Sequence, residues 1–334
     1  LTINAIAKND DGDLVDPFNG QADLRNKIFR HVSPAFAEDP VRILRIARFA
    51  ARFSIAPHVF SVAPETLALM QNMVKAGEVD ALVPERVWQE ISQGLQEAMP
   101  SRMFDVLRAC HALERLMPEL NALWGVPQPP KHHPEIDTGV HIMLVIDYAA
   151  KQGYPLAIRF AALLHDLGKG VTKPEEWPKH HGHEQRGVEL VEALCARLRV
   201  PSDCRDLAVM TARDHGNVGR ALEMRPATVQ AMFERNDAFR KPERFKDMLN
   251  ASKCDRFGRA KCEDESAVNL KHDQDEFIPA IFLSQALAAA QSVNAGEVAQ
   301  SYLGQPQQIA EAVRAARVKA IMQFKNQWDA SHIE

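Results

Sequence analysis

At Asp39-Pro40 the apolar residues of this chain change from strand-like alternation to helical recurrence, and helical spacing then runs almost unbroken toward the C-terminal end. Asp39 is a capping residue type and Pro40 suits a first helical position, while Ile43, Leu44, Ile46, Ala47 and Ala50 fall on one helical face. Further amphipathic runs are expected around 64–76, 84–98 and 102–116, and again around 140–151, 156–167, 184–198, 204–214 and 308–328. Before Asp39 the pattern differs. Leu1, Ile3 and Ala5 share one face, Asn9-Asp10-Asp11-Gly12 reads as a turn and Leu14-Val15 returns, which together predict a β-hairpin. The Pro-rich stretch Gly125-Val126-Pro127-Gln128-Pro129-Pro130 is the expected domain boundary.

A chain of 334 residues holds two or three domains at roughly 100–200 residues each. Its 46% apolar and 25% charged residues exclude disordered and collagen-like classes. The net charge of −4 excludes a generic basic nucleic-acid binder and leaves any such recognition to local patches. Neither a secretory leader nor an apolar run of about 18 residues is present, so the expected compartment is cytoplasmic, with no membrane partner. Cys110, Cys195, Cys204, Cys254 and Cys262 are scattered without a CxxC pair and read as reduced thiols, not disulfides or a zinc site.

Asp39, Arg42, Arg45 and Arg48 recur every third residue, so on a helix they form one polar ribbon, with Arg52 a step further. Arginine forks bind phosphate bidentately or the acceptor edge of a base, which suits a nucleotide or an RNA backbone. The plain alternative is a capping Asp39, a Glu38 to Arg42 ion pair and a solvated face. Leu1-Thr2-Ile3-Asn4-Ala5, the run Asp16-Pro17-Phe18-Asn19-Gly20-Gln21-Ala22-Asp23-Leu24, and Glu38-Asp39-Pro40-Val41-Arg42-Ile43-Leu44-Arg45-Ile46-Ala47-Arg48 resemble, in order and spacing, the class II tRNA nucleotidyltransferases. These are the CCA-adding enzymes and their poly(A) polymerase relatives. The resemblance implies that Asp39 and Arg42 present base-pair-like donors and acceptors to CTP or ATP. It also implies that Arg45 and Arg48 continue toward the phosphates, that Asn4 lies near the ribose, and that Pro84-Glu85-Arg86-Val87-Trp88-Gln89-Glu90-Ile91 supports the pocket.

The second half carries a separate signature: His141, then His165-Asp166 within Leu164-His165-Asp166-Leu167-Gly168-Lys169, then His183, His215 and Asp255. Mixed imidazole and carboxylate donors suit a divalent ion that polarises phosphate and acidifies water. His141 alone could be a core histidine, His180 and His181 read as exposed loop residues, and Asp214 is a rival to Asp255. The ordered set resembles the HD superfamily of metal-dependent phosphohydrolases. That resemblance implies metal ligation by His141, His165, Asp166, His183, His215 and Asp255, catalysis by His165 and Asp166, and Lys169 meeting a phosphate oxygen, with Ni²⁺, Mn²⁺ or Mg²⁺ as the ion.

An HD domain behind transferase motifs resembles the bacterial multifunctional CCA proteins. The implied fold is mainly α: a short N-terminal β-hairpin remnant of a nucleotidyltransferase head (1–35), a helical neck and body (36–126), a helical HD domain (131–258) and a C-terminal helical region (259–334). The implied partners are the tRNA 3′ end, CTP and ATP, with a possible homo-oligomer, and the implied HD activities are phosphatase, 2′-nucleotidase and 2′,3′-cyclic phosphodiesterase. The family's transferase holds Mg²⁺ on a DxD pair after a Gly-rich turn. Asp11/Asp13 and Asp273/Asp275 follow no such turn, so those ligands are expected to lie ahead of Leu1. Two alternatives stand beside this reading: a stand-alone HD phosphohydrolase with an RNA-binding neck, and a non-catalytic tRNA-binding fragment.

Overall fold

Leu1 to Ala5, expected as a strand, winds instead into the 3-10 turn Thr2–Asn4. Its buried residue is the polar Thr2, whose hydroxyl donates to Asp23 at 2.7 Å while its N–H donates to the Arg30 carbonyl at 2.9 Å. The expected hairpin forms one segment later, pairing Ala7–Lys8 antiparallel with Leu14–Val15 around the Asn9 to Gly12 turn. Asp13 N–H donates to Asn9 Oδ1 at 2.7 Å, and Gly12 supplies the positive φ of +90°. A second pair, Ile28–Phe29 parallel to Ser61–Val62, was not readable from periodicity. Two-residue strands are too short to show a period, and this one exists to bury Phe29 against Phe60, with ring centroids 4.9 Å apart.

The acidic residues of the 16–24 motif organise this end. Asp16 accepts from the N–H groups of Gly20 and Gln21 at 2.7 and 2.8 Å, opening the helix Gly20–Asn26. Position 20 must be glycine, because a Cβ there would lie 2.8 Å from the Thr2 carbonyl carbon and 2.9 Å from Ile6 Cγ1. Buried Asp23 then ties Thr2 to Arg30.

The computed structural model describes residues 1–54, 58–131, 133–260, 276–302 and 305–331, in two units. The first comprises Leu1–Ala212 with Phe257–Ala260; the second comprises Arg213–Arg256 with the described residues after 275. Cys262, Asp273 and Asp275 lie outside the described residues. In the first unit the arginine helix Val41–Phe53 buries Val41, Ile43, Leu44, Ile46, Ala47, Ala50 and Ala51 against helices Pro84–Gln96 and Ser101–Ala109. Helix Thr138–Lys151 starts at Asp137, whose carboxylate accepts from Val140 N–H at 2.9 Å, and packs on Leu156–Leu164. The expected helix 156–167 therefore ends early. His165 and Asp166 sit at its junction with the 3-10 segment Leu167–Val171, which packs on helix His183–Arg197.

The second unit has its own core. Phe233 meets Phe245 edge to face at 5.3 Å, and the C-terminal helix Pro306–Ser331 packs on Ile278–Gln291 through Phe282, Phe324 and Trp328. The four described cysteines are buried, and burial pushes Cys110 up to about 11 and Cys195 and Cys204 up to about 12, so these three remain protonated thiols. Among the described residues no helix is long and apolar enough to cross a membrane.

Candidate functional site

The His165-Asp166 junction is fully buried and is shaped by two glycines. A Cβ at Gly168 would collide with the His183 carbonyl and lie 2.7 Å from Gly187 N. Only hydrogen at position 168 lets the segment carrying Asp166 lie directly on the helix carrying His183. His183 Nε2 thereby comes 3.4 Å from Asp166 Oδ1, and His165 Nε2 lies 3.1 Å from Asp166 Oδ2.

Both imidazoles are fixed from behind. His165 Nδ1 is 2.8 Å from the Ala162 carbonyl and His183 Nδ1 is 2.9 Å from the His180 carbonyl. A carbonyl can only accept, so each Nδ1 carries the proton and each Nε2 turns its lone pair toward Asp166. His141, fully buried on Thr138–Lys151, joins them, with donor atoms of His141, His165 and Asp166 all within 4.8 Å of one another. Imidazoles fixed by outer partners around a carboxylate are a donor set that could hold a divalent ion.

Burial disfavours ionisation of Asp166, but its charged and polar neighbours, the Lys169 ammonium first among them, outweigh it and hold the carboxyl well below its usual range. Lys169 Nζ donates to Asp166 Oδ2 at 2.7 Å and to Gln128 Oε1 at 2.5 Å, so it is built into the wall of the site. His180, expected to be exposed, is 1% exposed, with Nε2 2.8 Å from the Pro127 carbonyl. That contact closes the 172–182 loop against the Pro-rich stretch, whereas His181 is exposed as expected.

His215 and Asp255 lie in the second unit, on helices Ser202–Gly219 and Pro242–Phe257. Asp214, the rival to Asp255, is fully buried and serves as a structural hub. Arg235, Arg213, Asn217 and Asn236 all donate to it, the Asn236 amide at 2.8 Å.

The polar ribbon is real but not uniform. Asp39 Oδ1 accepts from Val41 N–H at 3.1 Å, while Oδ2 pairs with Arg86 at 3.0 Å. Arg48 Nε pairs with Glu90 at 2.7 Å, and its side chain is only 14% exposed. The 84–91 motif thus grips the ribbon at both ends. Between them, Arg42 donates to the Ala35 carbonyl and Arg45 is exposed. The Thr2–Asn4 turn belongs to the same unit as this helix. Asn4 is exposed on the same turn. The Arg86 pairing escaped sequence reasoning because the two residues are far apart in the chain. So did Glu135 and Gln128, which lie in non-helical backbone where no period flags them.

Two family profiles match this chain: a probable RNA and SrmB-binding site of polymerase A over residues 59–123, and an HD domain over residues 138–241. A multifunctional CCA protein of Herminiimonas arsenicoxydans is 62% identical over 325 residues, 96% of this chain and 75% of that relative. The chain belongs to the multifunctional CCA protein family. Members of this family are CCA-adding enzymes with an HD domain, a metal-dependent phosphohydrolase module. Among solved structures, a CCA-adding enzyme in complex with CTP aligns with all of this chain and 71% of its own, at TM-score 0.56 and 18% identity. A Thermotoga maritima CCA-adding enzyme complexed with tRNA aligns with 99% and 71%, at TM-score 0.52 and 18% identity. At that identity the likeness is one of fold.

Proposed function

We propose that the chain selects CTP or ATP on the Asp39 to Arg48 face for addition to the tRNA 3′ end. We further propose that it hydrolyses phosphate esters of that same end at the imidazole and carboxylate centre. The observation that carries the second half is the pair of backbone-fixed imidazoles flanking Asp166. A divalent ion there, Mg²⁺, Mn²⁺ or Ni²⁺, would supply charge to polarise the phosphate and acidify a water. His141, His165, Asp166 and His183 would hold it, and the family pattern adds His215 and Asp255. Lys169 orients Asp166 through its 2.7 Å contact and is the cation placed to meet a phosphate oxygen. The activities in view are phosphatase, 2′-nucleotidase and 2′,3′-cyclic phosphodiesterase.

The test is hydrolysis of a 2′,3′-cyclic nucleotide with each of the three ions. Asp166→Ala is expected to lower the rate at least about a hundredfold, because it removes the only anion among the four donors of the first unit. Retained activity in a folded Asp166→Ala protein would sink the reading.

For the nucleotide face, exposed Arg45 and the Asp39, Arg42 and Arg86 group support direct contact with a base and its phosphates. Asp39→Ala or Arg42→Ala, made in a protein as long as the curated relatives, is expected to cut the discrimination between CTP and ATP about ten- to hundredfold. That loss corresponds to a base contact of roughly 1–3 kcal/mol. A tRNA extension assay reads this directly, and hydrolysis at the other site should be unchanged. Loss of both activities together would point to misfolding and against a nucleotide-reading role.

A further inference from the structure

Glu135 belongs to no residue set assigned above, yet its side chain is 2% exposed and lies against the metal centre. Its Oε1 is 2.7 Å from His141 Nδ1 and 3.3 Å from His133 Nδ1, and its Oε2 accepts the Ala260 backbone N–H at 3.2 Å. His133 and His141 meet edge to face at 4.7 Å, and His141 meets His165 in the same manner at 5.7 Å. Glu135 precedes the helix that carries His141, so helical spacing does not bring them together. The chain turns back at Ile136, where φ is +60°, and the Ile136 carbonyl accepts from Gln128 N–H at 2.7 Å. Asp137 then caps the helix and also accepts from Gly125 N–H at 2.6 Å. A short, well-anchored turn therefore delivers the carboxylate to His141.

The backs of His165 and His183 rest on carbonyls, whereas the back of His141 meets a carboxylate. An anion behind an imidazole fixes the proton on Nδ1, orients the ring and makes Nε2 a stronger donor than a neutral carbonyl does. We propose that Glu135 is a positioning residue of the metal centre: it holds the Nδ1 proton of His141 so that Nε2 is the atom offered to the ion, with His133 and the Ala260 amide holding Glu135 in turn. The rival arrangement makes Glu135 a ligand, since His133, Glu135 and His141 also place donor atoms within 4.8 Å of one another. Two features favour the positioning role. Both imidazoles bring Nδ1 close to the same oxygen, at 2.7 and 3.3 Å, and the other oxygen is already taken by a backbone amide.

This inference rests on the metal centre proposed above, and the experiment separates the two. Ni²⁺ and Mn²⁺ binding to the full chain is titrated by calorimetry, and bound metal is counted by elemental analysis, for wild type, Asp166→Ala, Glu135→Ala, Glu135→Gln and His133→Ala. Glu135→Ala is expected to weaken binding 10- to 100-fold without changing the number of ions bound. Glu135→Gln keeps an acceptor oxygen and the volume, so it should lose less and melt like wild type in EDTA. Unchanged affinity in both Glu135 variants would overturn the proposal. So would the loss of one of two bound ions in Glu135→Ala and His133→Ala alike, which would make Glu135 a ligand. If Asp166→Ala binds metal as wild type does, the metal centre itself is wrong.

Discussion

Gly168→Ala is expected to destabilise the first unit by about 3 kcal/mol and to weaken metal binding at least tenfold. The added methyl would meet backbone and not a side chain tip: the His183 carbonyl carbon lies 2.8 Å from the built Cβ, and Gly187 N lies 2.7 Å away. Flexible neighbours relieve such overlap cheaply, but a carbonyl within the first turn of helix His183–Arg197 moves only if the helix moves. Because His183 supplies both the obstructing carbonyl and an imidazole of the centre, relief of the clash shifts Nε2 away from Asp166. Gly219→Ala is the control, since a Cβ there meets nothing within 4 Å and should leave stability unchanged or raise it. Urea denaturation followed by circular dichroism, with a metal titration at the same pH, reads both effects. A Gly168→Ala protein as stable as wild type would mean that the contact between the two segments does not hold the site together.

What the sequence disclosed and what it hid follow from how many residues carried each signal. The arginine helix was legible because a dozen positions agree on one period, and Asp39 and Pro40 mark its start. The imidazole and carboxylate centre was legible as an ordered set, and four of its members, His141, His165, Asp166 and His183, meet in the first unit. Features resting on one or two residues were not. Thr2 alternates like a strand residue but turns inward to Asp23, and a two-residue strand leaves no pattern to detect. His180 sits in a polar run that reads as an exposed loop, and only the Pro127 carbonyl, remote in sequence, explains its burial. Glu135 lies in non-helical backbone where no period flags it, and its importance lies in where the turn at Ile136 sends it.

Arg159→Ala is expected to cost about 3–5 kcal/mol, because it removes a buried cation from an otherwise apolar helix. Arg159 is 8% exposed, and its guanidinium donates to the carbonyls of Tyr154 at 2.6 Å, Leu95 at 2.8 Å and Glu97 at 3.0 Å, with Ala150 at 3.5 Å. These acceptors sit at the C-terminal ends of Pro84–Gln96 and Thr138–Lys151, where helices leave carbonyls without partners and favour a positive charge. Truncation strands several buried acceptors at about 1–3 kcal/mol each. Arg159→Lys should recover only part of the loss, because an ammonium lacks the planar fork that spans two helix ends. The consequence reaches the nucleotide face. Glu90 on the same helix holds Arg48 at 2.7 Å, and Glu97 lies 4.0 Å from it, so loosening that helix end releases the base of the ribbon. Hydrogen exchange should therefore rise in Val41–Phe53 as well as in Leu156–Leu164. Faster exchange confined to Leu156–Leu164, or a stability loss below about 1 kcal/mol, would show that the arginine binds the two helices without coupling them.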